Sequence, residues 1–289
     1  LRLGIHTFTS GGLERAAITA AELGANTFQI FSSSPRMWRA SLPDPAQVKL
    51  LRAARDRFDL RPLVIHVNYL VNLASCDPVI RSRSVAAFRG EIDRALAIGA
   101  EFLVLHPGSY RNSTPEKGME AFAEGLRDAA HGVRTAGLTV LIENTAGAGC
   151  HLGSRFEELR TMRALAAEQT DVAVGFCLDT CHLIAAGFDI TTQAGLRAML
   201  KQADATFGLD NVHVIHANDS KCPLGSNADR HQHIGKGHIG REAFHRILTC
   251  KALRAKPFIL ETPIDEEGDD RRNLDMLKLL AKRGPLSRP

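Results

Sequence analysis

Six apolar runs in the sequence, at 63–66, 102–106, 139–143, 174–179, 212–216 and 258–261, end on a side chain that can bind a metal ion: His66, His106, Glu143, Asp179, His216 and Glu261. One such residue at a strand end is ordinarily a hydrogen-bonded structural group. Six of them brought together would cost on the order of several kcal/mol each unless neutralised, and divalent cations are the simplest neutraliser. Two further clusters supply ligands of the same kind. Asp179 and His182 stand three residues apart in a loop after the sixth strand, and Asp229 and His231 form an Asp-x-His pair in a polar, glycine-containing loop. The set is five histidines, two aspartates and two glutamates. All are nitrogen or oxygen donors, which favours zinc, admits manganese at oxygen-rich positions and argues against iron–sulfur or copper–thiolate chemistry. Nine ligands exceed one tetrahedral ion. With carboxylates bridging, they suit two or three.

Such a set works only if the fold carries all six run ends to one place. Two more apolar runs, 3–6 and 27–31, make eight β-rich segments, with helical periodicity between them: Leu13, Ala16, Ala17, Ala20 and Leu23 recur at helical spacing, as do Phe88, Ile92, Ala95 and Leu96. Alternating strand and helix, with continuous apolar strands, implies a parallel sheet covered on both faces. Eight such units closing on themselves predict an α/β fold, a (β/α)8 TIM barrel forming one domain over 1–289. Its strands all end at one face, where such barrels build their sites. An open doubly wound sheet has the same alternation. Its phosphate-binding signature is missing: Gly11 and Gly12 do not make G-x-G-x-x-G, and the stretch from Gly235 to Gly240 has the spacing but no apolar strand feeding into it. Segments 43–45, 114–115 and 265–270 read as helix-entry loops.

Composition sets outer bounds. With 44% apolar and 24% charged residues, disordered and collagen-like classes are excluded. The apolar runs fall far short of the roughly 18 residues of a membrane-spanning helix. A balance of 36 basic against 32 acidic residues, formally +4, permits polyanion binding without requiring it. Six cysteines form neither a dense disulfide framework nor a C-x-x-C zinc pair, and no secretory leader is visible, so a reduced, cytoplasmic location is expected, nucleoid-associated if the source is bacterial.

Longer motifs are more specific. Residues 141–149 (LIENTAGAG), 179–189 (DTCHLIAAGFD), 218–231 (NDSKCPLGSNADRH) and 234–240 (IGKGHIG) closely resemble the signatures of endonuclease IV, the zinc-dependent apurinic/apyrimidinic endonucleases. The likeness runs from Gly4, Ile5 and His6 to Leu260, Glu261 and Thr262. It implies a xylose-isomerase-like barrel and a DNA-repair hydrolase of the deoxyribonuclease IV type, carrying three zinc ions. By that resemblance His66, His106 and Glu143 hold one ion; Glu143, Asp179, His216 and Glu261 a second; His182, Asp229 and His231 the third. The implied reaction is cleavage 5′ to an abasic site in double-stranded DNA, leaving a 3′-hydroxyl and a 5′-deoxyribose phosphate, with a metal-bound hydroxide as nucleophile. Glu143, Asp179 and Glu261 are the expected catalytic carboxylates, and Glu261 is a candidate to orient the nucleophile. Arg36, Tyr69 and Leu70 resemble the residues that enter the minor groove and fill the gap in the base stack. Lys221, Arg230 and Lys236 are candidates for phosphate contacts. His6 is a candidate for a place behind the ligands or on DNA. Trp38 and Cys177 read as packing residues. The expected partner is duplex DNA with abasic or 3′-blocked sites, bound by a monomer.

Charge supports this reading. Three zinc ions outweigh the four ligand carboxylates, leaving about +2 if the imidazoles are neutral, a charge that attracts a phosphodiester. Zinc also lowers the pKa of its water to about 7. Metal-dependent sugar isomerases and epimerases share the expected fold but usually hold one or two ions, so the group of His182, Asp229 and His231 favours phosphodiester hydrolysis. A silent lesion-binding or metal-storage protein would be expected to have lost a ligand, and none is missing.

Overall fold

The computed structural model describes residues 1–34 and 36–282; Pro35 and residues 283–289 of the expected domain lie outside the described residues. The strands are β1 (Arg2–His6), β2 (Thr27–Phe31), β3 (Leu63–His66), β4 (Phe102–Leu105), β5 (Thr139–Glu143), β6 (Ala173–Asp179), β7 (Val212–His216), β8 (Asp219–Ser220), β9 (His231–Gln232) and β10 (Pro257–Leu260). All except β8 and β9 close into a barrel in the order β1-β10-β7-β6-β5-β4-β3-β2, each neighbouring pair parallel. Helices α1 (Leu13–Glu22), α2 (Pro45–Phe58), α3 (Pro78–Ile98), α4 (Pro115–Ala130), α5 (Phe156–Gln169), α6 (Thr180–Ala185), α7 (Gln193–Phe207), α8 (Gly240–Thr249) and α9 (Asp269–Lys282) complete the (β/α)8 pattern.

The two-residue period of the strands divides the core in two. Phe28, Ile30, Ile65, Leu103, Ile142, Phe176 and Phe258 belong to the large apolar layer that also takes in the buried helix residues Ala16, Phe88, Phe122 and Phe156. Each of the leucine, isoleucine and phenylalanine side chains among them contributes roughly 1.5–3 kcal/mol on burial. The alternate positions Val64, Val104, Leu141, Cys177, Val214 and Ile259 form a separate cluster inside the barrel. Helix entries follow the sequence signals. Asp44 accepts from Ala46 N, Asp77 from Val79 N and Ile80 N, and Thr114 from Lys117 N, and in each case proline opens the helix. Such a cap is worth about 1 kcal/mol, and proline costs nothing where no N–H partner exists.

Three expectations need correction. β4 and β10 stop one residue before His106 and Glu261, where the ladder to the neighbouring strand ends. The stretch 180–182 is the first turn of α6 and not a loop, because Asp179 caps it by accepting from His182 N at 2.9 Å. His231 lies on β9, paired antiparallel with β8, where a loop was expected.

Candidate metal centre

His66, His106, Glu143, Asp179, His216 and Glu261 each stand two residues beyond a member of the inner apolar cluster. With a period of two they continue the inward-facing rows by one layer, toward the C-terminal ends of the strands. The nine expected ligands fall into three groups, each with its ligand atoms within 4.8 Å of one another: His66, His106 and Glu143; Glu143, Asp179, His216 and Glu261; His182, Asp229 and His231. Glu143, fully buried, joins the first two. Its Oε2 is 3.1 Å from His66 Nε2 and 3.2 Å from His106 Nε2, and its Oε1 is 3.0 Å from His216 Nδ1. Asp179 accepts from Asn218 Nδ2 at 2.6 Å and lies 3.7 Å from His231 Nε2.

Hydrogen bonds decide which imidazole nitrogen is free. Nδ1 lies 2.7 Å from Val67 O in His66, 2.8 Å from Asn144 O in His182 and 2.9 Å from Glu261 O in His231. A carbonyl can only accept, so each Nδ1 carries hydrogen and donates, and in the neutral ring each Nε2 keeps its lone pair. Among the described residues, Nε2 of His182 and of His231 are buried without a hydrogen-bond partner, although Asp229 oxygens stand 3.1 and 3.2 Å away. Lone pairs and a carboxylate converging in this way fit a cation, and the donor set fits zinc.

The titration behaviour agrees. Burial opposes charge on His231, but its contact with Asp229 and the charges of Asp179 and Glu261 prevail and lift it to about 9. His182 is raised well above the ordinary range against burial, chiefly by Asp179 and Asp229. Asp229, also against burial, is held far below it by His182 and His231. These carboxylates demand positive charge, and protons are replaced when a metal binds. Cys181 comes near Asp179 and His231, but burial pushes its thiol, like that of Cys177, up to about 12. Both pack as protonated thiols.

The loops around the centre carry the other candidates. A cavity of about 680 Å³ is lined by His66, His106, His182, Tyr69, Asp229 and Arg230. Tyr69 is 69% exposed, with its ring centroid 6.0 Å from that of His66, so an apolar face stands in solvent above the centre. Leu70 beside it is half-buried. Arg36 is exposed on the β2–α2 loop, and Lys221, Arg230 and Lys236 are exposed between β8 and α8. Trp38 packs against the core. The His6 ring meets that of Phe31 at a 52° tilt, centroids 4.4 Å apart, and lies 3.7 Å from Glu261, with Nε2 buried and unpartnered among the described residues.

Several supporting residues escaped the sequence reading. Asn144 accepts from Asp179 N at 2.7 Å, and Asn218 accepts from Glu261 N at 2.8 Å. Buried Asp219 accepts from the backbone N–H groups of Ser220, Gly235, Gly237, Ile239 and Gly240, gathering the 235–240 segment around one carboxylate. Gly237 is required there, since a Cβ would fall 2.3 Å from Ser220 O. On α3 the buried pair Arg94–Glu91, 3.0 Å apart, holds Ser32, Ala40 O and Asn68, which anchors the loops bearing Arg36 and Tyr69. Gln29, inside β2, contacts His6, His216 and Glu261. A polar residue amid an apolar strand was the one visible signal for it.

The family pattern described as a xylose isomerase-like TIM barrel matches residues 18–280. A probable endonuclease 4 of Solibacter usitatus is 70% identical over 281 residues, covering 97% of each chain. A probable endonuclease 4 of Methanoculleus marisnigri is 39% identical, covering 96% of this chain and 98% of its own. The crystal structure of endonuclease IV from Thermus thermophilus superposes with a TM-score of 0.85 at 37% identity, over 97% of this chain and 98% of that one. Likeness of this extent, along the whole barrel and not only at its motifs, makes the chain a member of the endonuclease IV family.

Proposed function

We propose that this nuclease cuts the phosphodiester 5′ to abasic sites in double-stranded DNA, leaving a 3′-hydroxyl and a 5′-deoxyribose phosphate, with three zinc ions at the barrel mouth. The observation that carries the reading is the pair of buried, unpartnered Nε2 atoms of His182 and His231 facing Asp229. His66, His106 and Glu143 would hold one ion, Glu143, Asp179, His216 and Glu261 a second, and His182, Asp229 and His231 the third. When bound, such ions supply positive charge to a phosphodiester and a water acidic enough to attack near neutral pH.

The chain's own residues do the rest. Glu261, fixed by Asn218 and Gln29, orients the attacking oxygen, while Glu143 and Asp179 set the spacing of the groups around it. Tyr69 and Leu70 enter the minor groove with Arg36 and fill the gap left in the stack. Unstacking costs on the order of a few kcal/mol per step. An abasic nucleotide has less stacking to lose, so it turns out of the helix more cheaply than an intact one. The cavity beside Tyr69 receives it, and 3′-blocked ends reach the same place. Lys221, Arg230 and Lys236 touch phosphates, so binding weakens as salt rises. The protein acts as a monomer, one barrel mouth per lesion.

The test is to incubate the protein with a duplex carrying one abasic analogue, map the cut, and count metals by mass spectrometry. A single nick 5′ to the analogue by protein with three zinc ions per chain is expected. Fully loaded protein that leaves the duplex intact would overturn the reading.

A further inference from the structure

Gln29 is fully buried on β2, where Phe28 and Ile30 face the helices and Gln29 faces the barrel interior. Its Nε2 is 2.6 Å from Glu261 Oε1 and 3.0 Å from His6 Nδ1, and its Oε1 is 2.8 Å from His216 Nε2. The amide orientation is forced. A carboxylate can only accept, so the atom against Glu261 must be the NH2 group, and the oxygen must face His216. His216 Nε2 therefore carries hydrogen and donates to Gln29. The lone pair of the neutral ring is left on Nδ1, the atom 3.0 Å from Glu143 Oε1 and 3.4 Å from Glu261 Oε2.

His216 is thus reversed relative to His66, His182 and His231, whose Nδ1 atoms donate to backbone carbonyls. Among the described residues no backbone carbonyl serves its Nε2; the side chain of Gln29, three strands away round the barrel, does. The same NH2 group restrains Glu261, one residue past the end of β10, the strand beside β7. One amide therefore sets two of the four side chains of one ion group.

We infer that Gln29 is a positioning residue: its carboxamide selects the Nδ1-ligating form of His216 and aims Glu261, so that the group of Glu143, Asp179, His216 and Glu261 can hold its ion. The inference rests on the metal-centre reading above. Partners that orient ligating histidines commonly change metal affinity or activity by about 10–100-fold when removed. Gln29→Leu keeps the volume and removes both hydrogen-bonding functions. Gln29→Glu keeps the shape but sets a second carboxylate against Glu261.

Two measurements test this. Zinc titration with mass spectrometry should show Gln29→Leu and Gln29→Glu binding one ion about 10–100-fold more weakly than the wild type, the other two being retained, with kcat for nicking lowered and KM for the duplex unchanged. Wild-type zinc affinity and kcat within twofold in both folded variants would overturn the inference. Independently of any variant, nitrogen NMR of the wild-type protein loaded with cadmium-113 should show coupling from the metal to His216 Nδ1; coupling to Nε2 would overturn it. A wild-type protein that takes up no metal would instead refute the metal-centre reading.

Discussion

His182 Nε2 stands 3.1 Å from Asp229 Oδ2, outside hydrogen-bond geometry. In the neutral form that binds a metal the ring has one N–H, and Nδ1 commits it by donating to Asn144 O at 2.8 Å. His231 repeats the arrangement, with Nε2 3.2 Å from the other oxygen of the same carboxylate and Nδ1 donating to Glu261 O. Two backbone carbonyls thereby turn two imidazole lone pairs toward one acidic group. That arrangement separates the site from a network of ordinary hydrogen bonds, in which each acceptor would face a donor.

Asp229→Ala tests the relationship directly. Asp229 is the only carboxylate of its group and is partly exposed on a loop, so its loss should leave the barrel folded. The expected outcome is two zinc ions per chain in place of three, with nicking slowed by at least about tenfold. Native mass spectrometry and a nicking assay on one preparation check it. Retention of all three ions would mean that the two imidazoles alone suffice.

Asp219→Ala should act by a different route. The carboxylate accepts from five backbone N–H groups and is fully buried, so truncation strands donors that cost roughly 1–3 kcal/mol each when unsatisfied. The 235–240 segment should loosen, and with it Lys236. Amide exchange at Gly235, Gly237, Ile239 and Gly240 is expected to accelerate while the strands of the barrel stay protected. Unchanged exchange at those four amides would show that the turn holds without Asp219.

The ligands were legible because a barrel makes sequence position and spatial position equivalent. All strands run one way, the inward rows have period two, and a residue such as Glu143 at the end of an apolar run must emerge at the common mouth. The residues that hold them were not. Gln29 touches Glu261 across 232 residues and His216 across 187, and no local pattern encodes such a meeting. Asp219 looked like one more polar residue in a loop, because its partners are backbone amides. The α6 turn had a local signal, Asp179 as helix cap, but a helix of six residues is too short to display a period.

Arg94→Met probes the link between the core of α3 and the loops over the site. Arg94 and Glu91 are both buried, and breaking such a pair leaves an uncompensated charge, typically a loss of about 3–5 kcal/mol. Because Glu91 also receives hydrogen bonds from Ser32 and Asn68, the loops carrying Arg36 and Tyr69 should lose their fixed placement. Thermal unfolding should move down and KM for the abasic duplex should rise, while the zinc count holds. Tyr69→Ala should raise KM without the loss of stability. A KM for Arg94→Met equal to wild type would uncouple the loops from this pair.

Asp269 gives the stability of the α9 entry a defined pH dependence. The backbone N–H of Glu266 at 2.8 Å, the Arg272 guanidinium at 2.6 Å and the backbone N–H of Asp265 at 3.0 Å hold its carboxyl down, to about 2. In the unfolded chain the group titrates near about 3.9. A folded value below the unfolded one means that the native state favours the ionised form. The contribution is therefore fully present above about pH 4 and is lost as pH falls toward about 2. Asp269→Asn keeps an acceptor but cannot ionise, so its stability deficit relative to wild type should be largest at neutral pH and should close across that acid window. Guanidinium unfolding midpoints of the two proteins, compared at neutral pH and at steps through the window, read this out. A deficit that stays constant down to about pH 2 would show that the carboxyl acts only as a neutral acceptor.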